Sequence, residues 1–516
     1  MTTNERAQDR QGQNDLVRRF REARRANTPL ISIATPDQFA TVRLLAKNGN
    51  GGSTPTPKLS WNLADGFAPV NAADEPSIRA IAEATGSKPS NDPATALAMA
   101  VKLPQRTILF FHNAQRFIAE SVPGSTMIMQ RISNLRDVWK EDKRTLVLLG
   151  PHVPLPPELA NDVVELDEPL PGETELTAIC RYQAEAWEDL EWEPTDDLLT
   201  RAAAALKGCS AFGAEQLFAM AARKEGIDFS DLNRSVEKVI EQTKGLSYET
   251  GTETFDDIGG LEFAKTFGHR LFSGPRRPSL VVRIEELEKA MGGATGDLSG
   301  TSQDTLQVLL SEMEDRGYSG ILAAGIAGSG KSLFSKSLAN TFGARPLRLD
   351  INATKGSLVG QSGAQIRAAM KVINTIGGRD VFFVASVNRL DSIPPELQRR
   401  FRFGIWFFDV PSDRDRHAIW EIQRQKFKIE ADDETPDERD LTGADIRNIC
   451  ETAYSLGCSL REALDYVVPL KVQSPDAIEA ARKQAVGRFL NANIGGVYQM
   501  PSVAGRRGAR KIQTEE

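Results

Sequence analysis

The sequence predicts an α/β protein built as two successive modules, each a parallel sheet sandwiched by helices and followed by an α-helical lid. Three observations predict it. Short apolar runs of strand length alternate with stretches of helical spacing, which argues for parallel strands covered on both faces. The cycle occurs twice, each time followed by a stretch with helical periodicity only. The second cycle contains Gly-Ile-Ala-Gly-Ser-Gly-Lys-Ser, Gly325 to Ser332, between the apolar run Ile321 to Ala324 and the helical pattern Leu333 to Phe342. This fits G-x-x-x-x-G-K-[ST] in the strand–loop–helix setting that gives such a match meaning.

Taken in order, residues 1–27 are polar and charged and read as a flexible N-terminus, with a short basic helix over Asp15 to Ala26 whose face is solvated. Residues 28–172 form the first α/β domain. Pro29 to Thr35 is a buried-strand pattern, Asn48 to Pro57 a loop, and Pro93 to Val101 helical. Thr107 to Asn113 and Thr145 to Gly150 are strands around a long helix, and Val163 to Pro171 adds a strand and a turn. Residues 173–248 are helical and read as the first lid.

In the second module, residues 249–412 form the core. The strand Leu280 to Ile284 is followed by a glycine-rich loop (Met291 to Ser302) and the helix Asp304 to Arg316. After the phosphate loop come the strand Pro346 to Ile351, the helix Ala364 to Ile376, and the strands Val381 to Asn388 and Ile405 to Val410. Residues 413–494 are helical, a second lid, and residues 495–516 read as a flexible tail.

Composition narrows the function classes. The 63 Lys and Arg residues against 70 Asp and Glu leave a net charge of −7, so no global electrostatic footprint for nucleic acid exists. No apolar run reaches a membrane-spanning length, and the N-terminus is no secretory signal, which suggests a cytoplasmic protein. Cys180, Cys209, Cys450 and Cys458 lack metal-ligand spacing and read as buried thiols in a reducing compartment.

The motif residues Gly325, Ala327, Gly328, Ser329, Gly330, Lys331, Ser332 and Leu333 make a tandem P-loop NTPase-like architecture the natural frame. Glycines let backbone N–H groups curl around phosphate oxygens at a helix N-terminus. Lys331 would reach the β- and γ-phosphates of ATP and Ser332 would ligate Mg2+. A plain Gly-rich turn accounts for the glycines but not for Lys-Ser after them. A nucleotide hydrolase also needs an acidic pair at a strand end, a polar group beside the γ-phosphate and an arginine for transition-state charge. Glu285 and Glu286 follow the strand Leu280 to Ile284, with Glu286 to polarise water and Glu285 near the metal. The plainer alternative is an acidic helix start. Asn388 ends a strand and is the polar candidate. Arg399 and Arg402 are spaced to meet a neighbouring subunit's nucleotide, against the alternative of a solvated basic turn.

The second half resembles an AAA ATPase of the clade that includes katanin, spastin and the FtsH proteases, over about residues 250 to 490. Thr254 to Lys265 resembles that clade's entry motif, which implies adenine contacts at Asp257, Ile258 and Gly259. Ser357 to Met370 resembles the pore-loop segment, and Val381 to Phe403 the polar-sensor and arginine-finger region. Leu441 to Ala453 resembles the lid helix, with Gly443 and Ala444 near the nucleotide. The resemblance implies a homo-oligomeric ring, a hexamer, acting on a protein substrate through the degenerate N-terminal domain and pore residues Leu358 and Val359.

Three departures stand out. The acidic strand precedes the phosphate loop, where the family places it after the pore segment, as an internal permutation would leave it. Parallel strand ends need places in the sheet, not an order along the chain. Glu285 replaces the family's Asp, moving the carboxylate by roughly 1.5 Å, a carbon–carbon bond length. Leu358 replaces an aromatic pore residue. The first half has the shape of a degenerate copy: no Gly-Lys-Ser follows Pro29 to Thr35, and His112-Asn113 stand where carboxylates would be. The combination resembles an AAA family of cyanobacteria, plastids and some bacteriophages, so a plastid location stays open. Two further readings also stay open: an ATP-gated ring scaffold or assembly factor with slow hydrolysis, and a nucleic-acid motor or loader suggested only by Arg506, Arg507, Arg510 and Lys511.

Overall fold

Strand runs that are apolar at every position must be covered on both sides, and two such sheets organise the chain. The computed structural model describes residues 15–48, 56–86, 90–119, 122–187, 191–249, 251–290, 301–354, 361–390, 393, 395–430, 433–436 and 441–501. The chain forms two units that divide between Ile240 and Glu241.

The first sheet contains β1 (Leu30–Ala34), β2 (Lys58–Asn62), β3 (Gly66–Pro69), β4 (Ile108–Phe111), β5 (Thr145–Gly150) and β6 (Val164–Asp167). Their order is β3-β2-β4-β5-β1-β6, parallel except for the hairpin β2–β3. Alternation along β4 shows the two-faced burial directly: Leu109 and Phe111 join a core with Trp61 and Trp139, while Ile108 and Phe110 join another with Ile31 and Leu149. The sequence reading had no strand over β2 and β3. Each is short, and Leu59 and Trp61 alternate with polar Ser60 and Asn62.

The second face also recruits the N-terminus, which corrects the expectation of a flexible, solvated segment over residues 15–27. A helix over 15–25 buries Leu16, Val17 and Phe20 in that core. Its apolar stripe is interleaved with arginines, and Arg24 is itself used: its guanidinium donates to Thr145 Oγ1 at 2.6 Å and to the Arg106 carbonyl at 3.0 Å. Burial lowers its pKa to about 10. The helical stretch that follows the sheet contains a small hairpin, β7 (Ala222–Arg223) and β8 (Gly226–Ile227), where helix alone was expected.

The second sheet contains β9 (Leu246–Tyr248), β10 (Leu280–Ile284), β11 (Ser319–Gly325), β12 (Arg345–Leu349), β13 (Val381–Val387), β14 (Ile405–Phe408) and β15 (Leu490–Asn491). The order is β15-β14-β11-β13-β10-β12-β9, with β9 antiparallel to β12. β9 falls in the stretch assigned above to the first lid, so that boundary moves back. β10 lies between β13 and β12, as β4 lies between β5 and β2. Yet β4 follows β1 and β2 in the chain, whereas β10 precedes β11 and β12.

Three helices, Asp413–Phe427, Gly443–Leu456 and Leu460–Leu464, close on a core of Trp420, Leu441, Ile446, Ile449 and Cys450. The expected flexible tail is corrected over 495–501. Tyr498 is buried, its ring lies 4.5 Å from that of Phe407, and its hydroxyl donates to Asp409 Oδ2 at 2.5 Å. Cys180, Cys209 and Cys450 are buried and Cys458 half-buried, all as free thiols. Among the described residues no helix is long and apolar enough to cross a membrane.

Candidate nucleotide site

The carboxyl ends of β10, β11 and β13 open into one cavity of about 1350 Å3. In a parallel sheet these ends are where ligand-binding loops gather. The loop Ala327 to Ser332 and Leu333 line it, as do Glu285, Glu286 and Asn388. Asp257, Ile258 and Gly259 form another wall, and Gly443 and Ala444 a third. Gly325 ends β11 behind the loop. Its φ is 146°, and a Cβ there would sit 2.2 Å from the Phe408 carbonyl oxygen, so only glycine fits beside β14.

The helix Lys331–Thr341 begins after Gly330 with no side-chain cap. Uncapped N–H groups at a helix N-terminus suit an external anion. Lys331 is buried, and its ammonium donates to the carbonyls of Gly325 at 3.0 Å and Ile326 at 2.7 Å. Burial lowers its pKa to about 8, with nearby Glu288 opposing the shift.

The acidic side is built from β10. Glu286 has φ of 50°, and its N–H donates to Ser386 Oγ at 3.2 Å, which turns the chain at the strand end. Glu285 Oε1 accepts from Arg283 Nη2 at 2.7 Å, and its other oxygen lies 3.5 Å from Arg348 Nε. Glu288, further along the same segment, is buried and accepts from the Asn388 N–H at 3.1 Å.

The lid touches the loop directly. The Ala444 N–H donates to the Gly328 carbonyl at 3.3 Å, and a Cβ at Gly328 would meet Thr442 Oγ1 at 2.7 Å. A Cβ at Gly259 would lie 2.6 Å from the Ile419 side chain, so the Asp257–Gly259 turn is pressed against the helix Asp413–Phe427.

Residues 16–168 match the family model described as SpoVK-like AAA ATPase, N-terminal domain. Across most of its length the chain is also similar to "Uncharacterized AAA domain-containing protein ycf46" from several organisms. That of Guillardia theta is 22% identical over 460 residues, 80% of each chain. That of Trieres chinensis is 23% identical over 454 residues, 78% of this chain and 80% of the relative. That of Pyropia yezoensis is 21% identical over 446 residues, 78% and 80%.

These matches make the chain similar to AAA ATPases. It resembles this plastid and cyanobacterial family, and its folded halves are α/β modules of the expected class.

Arg399 and Arg402 are exposed and do not line the cavity of their own chain. Arg399 lies in the last turn of the helix Pro395–Arg400, whose final residue Arg400 pairs with Glu314. Leu358, Val359, most of the glycine-rich stretch after Met291 and the basic tail residues Arg506 to Lys511 lie outside the described residues. The donor set suits magnesium held together with phosphate. Ser332 and Glu285 face the same cavity as the loop, magnesium takes few protein oxygens, and no cluster of three or more His, Cys, Asp or Glu among the described residues could hold a metal alone.

Several residues of the cavity carry no signal in the sequence. Ile419 and Gln423, one turn apart, line the cavity, and Gln423 Oε1 is buried without a partner. Asp409, Arg482 and residues 491–494 and 498–501 complete the wall. The i, i+4 spacing of Ile419 and Gln423 puts them on one face. Nothing local says which face meets a ligand.

The first module shows what a closed counterpart looks like. Asn113 has φ of 54°, close to Glu286, at the end of β4. Gln38 grips it at both ends: the Gln38 amide donates to Asn113 Oδ1, and the Asn113 N–H donates to Gln38 Oε1, each at 2.9 Å. His112 is buried, with its pKa lowered by that burial, and its ring lies 5.0 Å from Phe39.

Proposed function

We propose that the chain is a Mg-ATP-dependent ATPase that works as a ring and couples hydrolysis to remodelling of a protein or protein complex. The observation that carries the reading is the convergence of the phosphate loop, Glu286 and Asn388 on one cavity from three parallel strand ends. Loop amides and the helix start would cradle the phosphates, and Lys331 would leave its two carbonyls for phosphate oxygens. Glu286 would hold and deprotonate the attacking water, while Asn388 would orient the γ-phosphate. Magnesium on Ser332, with Glu285 beyond it, would neutralise charge on the β- and γ-phosphates. Arg399 and Arg402, absent from their own cavity, would complete a neighbour's, which is what makes a ring necessary. The place of β10 in the sheet, against its place in the chain, supports an internal permutation.

A second reading, an ATP-gated ring scaffold with slow hydrolysis, is favoured by the two guanidinium groups on Glu285, which offset its charge toward a metal. Steady-state phosphate release separates the two. The first expects turnover in the unmodified chain, and a fall of about 100-fold or more in Glu286→Gln with ATP binding retained, the scale of losing a general base. Turnover no higher than that of Lys331→Ala favours the scaffold.

A further inference from the structure

Arg283 is fully enclosed in a strand that is otherwise apolar, Leu280 to Ile284. A buried guanidinium persists only where partners compensate its desolvation, so its partners show its use. Val281 and Arg283 lie on one face of β10, the face toward the helix Lys331–Thr341. There Arg283 Nε donates to Ser335 Oγ at 2.7 Å, and Ser335 Oγ donates to the Ser332 carbonyl at 2.9 Å. Anchored at Ser335, the guanidinium is shared by two carboxylates. Nη2 donates to Glu285 at 2.7 Å, and Nη1 makes an ion pair with Glu249. Glu249 is outside the cavity and directly follows β9, the strand by which the chain enters the second unit. Its N–H donates to the Pro346 carbonyl at 3.3 Å, extending the β9–β12 ladder.

We propose that Arg283 is a positioning residue that sets how much negative charge Glu285 presents to magnesium, and that Glu249 tunes this by competing for the same guanidinium. The inference rests on the reading of Glu285 as part of the metal surroundings. Its physical content is a competition. With Glu249 charged, Arg283 is divided; with Glu249 neutral, the cation is left to Glu285 and opposes a second cation nearby. With Arg283 gone, Glu285 keeps, among the described cations, the more distant Arg348 and presents more charge. The register pairing of Arg283 with Arg348 on β12 keeps both cations on the same face. The arrangement also accounts for glutamate at this position: its longer side chain reaches back to a guanidinium two residues earlier on the same strand.

The test uses the full chain and measures the dissociation constant of a fluorescent ATP analogue in excess Mg2+ and in EDTA. The ratio of the two is the magnesium-dependent gain. Glu249→Gln is expected to reduce that gain about 3- to 10-fold, leaving the EDTA value unchanged, and Arg283→Met to increase it. Opposite signs are the signature, since a purely structural role would move both variants the same way. A wild-type gain in Glu249→Gln, or shifts of equal sign, overturns the proposal. Should Arg283→Met fail to fold, Glu249→Gln decides alone. Glu285→Gln separates the two levels. If it leaves the gain unchanged, the reading of Glu285 fails and takes the inference with it; if it reduces the gain while Glu249→Gln does not, only the inference fails.

Discussion

Lys331 carries the clearest consequence at the scale of one residue. Its folded pKa of about 8 lies below the ordinary lysine value of 10.5, because the charged form is poorly solvated in the free loop. Between those values the unfolded chain binds the proton more tightly, so this residue favours folding increasingly as pH rises from about 8 toward 10.5. Phosphate would reverse the preference, since an anion favours the ammonium. Binding of ATP is therefore expected to take up a proton above about pH 8 and to weaken as pH rises further. Calorimetry in buffers of different ionisation enthalpy checks this, and binding without proton uptake at about pH 9 would overturn it. Gly328 gives a steric counterpart. At φ of 72°, a side chain costs about 1–2 kcal/mol, and the added Cβ would strike Thr442 at 2.7 Å. Gly328→Ala is expected to lower the melting temperature of the chain and weaken ATP binding at least 10-fold, by holding the lid away from the loop.

At the scale of elements, the N-terminal helix and the C-terminal strand are structural where their composition suggested otherwise. Leu16, Val17 and Phe20 recur at helical spacing, but five arginines between positions 18 and 25 mask the stripe. Long basic side chains can lie over apolar surface while their charge finds water or carbonyls, as Arg24 does. Phe20→Ala is expected to destabilise the first unit by about 3–5 kcal/mol, the usual cost of emptying a buried phenylalanine site. A lowered urea midpoint in the first unfolding transition is the readout. β15 adds only Leu490 and Asn491, too short for periodicity to register, yet it brings residues 491–494 to the cavity wall. β10 has the opposite character: its buried run is plain in the sequence, but its position between β13 and β12 is a property of the sheet.

At the scale of the whole molecule, the two modules share a strand arrangement and divide the chemistry. Only the second has the loop, and in the first Gln38 and Asn113 satisfy each other. Equilibrium titration is thus expected to give one ATP per chain and none in Lys331→Ala. A residual site in that variant would place nucleotide in the first module. If Arg399 acts on a neighbouring subunit, Arg399→Ala should retain ATP binding while losing turnover. Mixing it with Lys331→Ala chains should then restore part of the activity, because intact fingers would meet intact loops. No recovery at any mixing ratio would remove the argument for catalysis across subunits.

Legible in the sequence alone were the Gly-rich loop ending in Lys331-Ser332, the alternation of strands and helices, and the carboxylates at the end of β10. Each is a local pattern: a loop needs its own glycines and the helix after it, and a buried strand needs only its own side chains. Family resemblance supplied Asp257 to Gly259 and Gly443-Ala444 from equally local motifs. The tertiary structure alone decided which strand ends meet, that Gln423 and residues 491–494 and 498–501 wall the cavity, and that Glu285 shares Arg283 with Glu249. Those contacts join residues far apart in the chain. They follow from sheet order and from the need of a buried guanidinium for nearby carboxylates, neither of which leaves a mark in any short stretch of sequence.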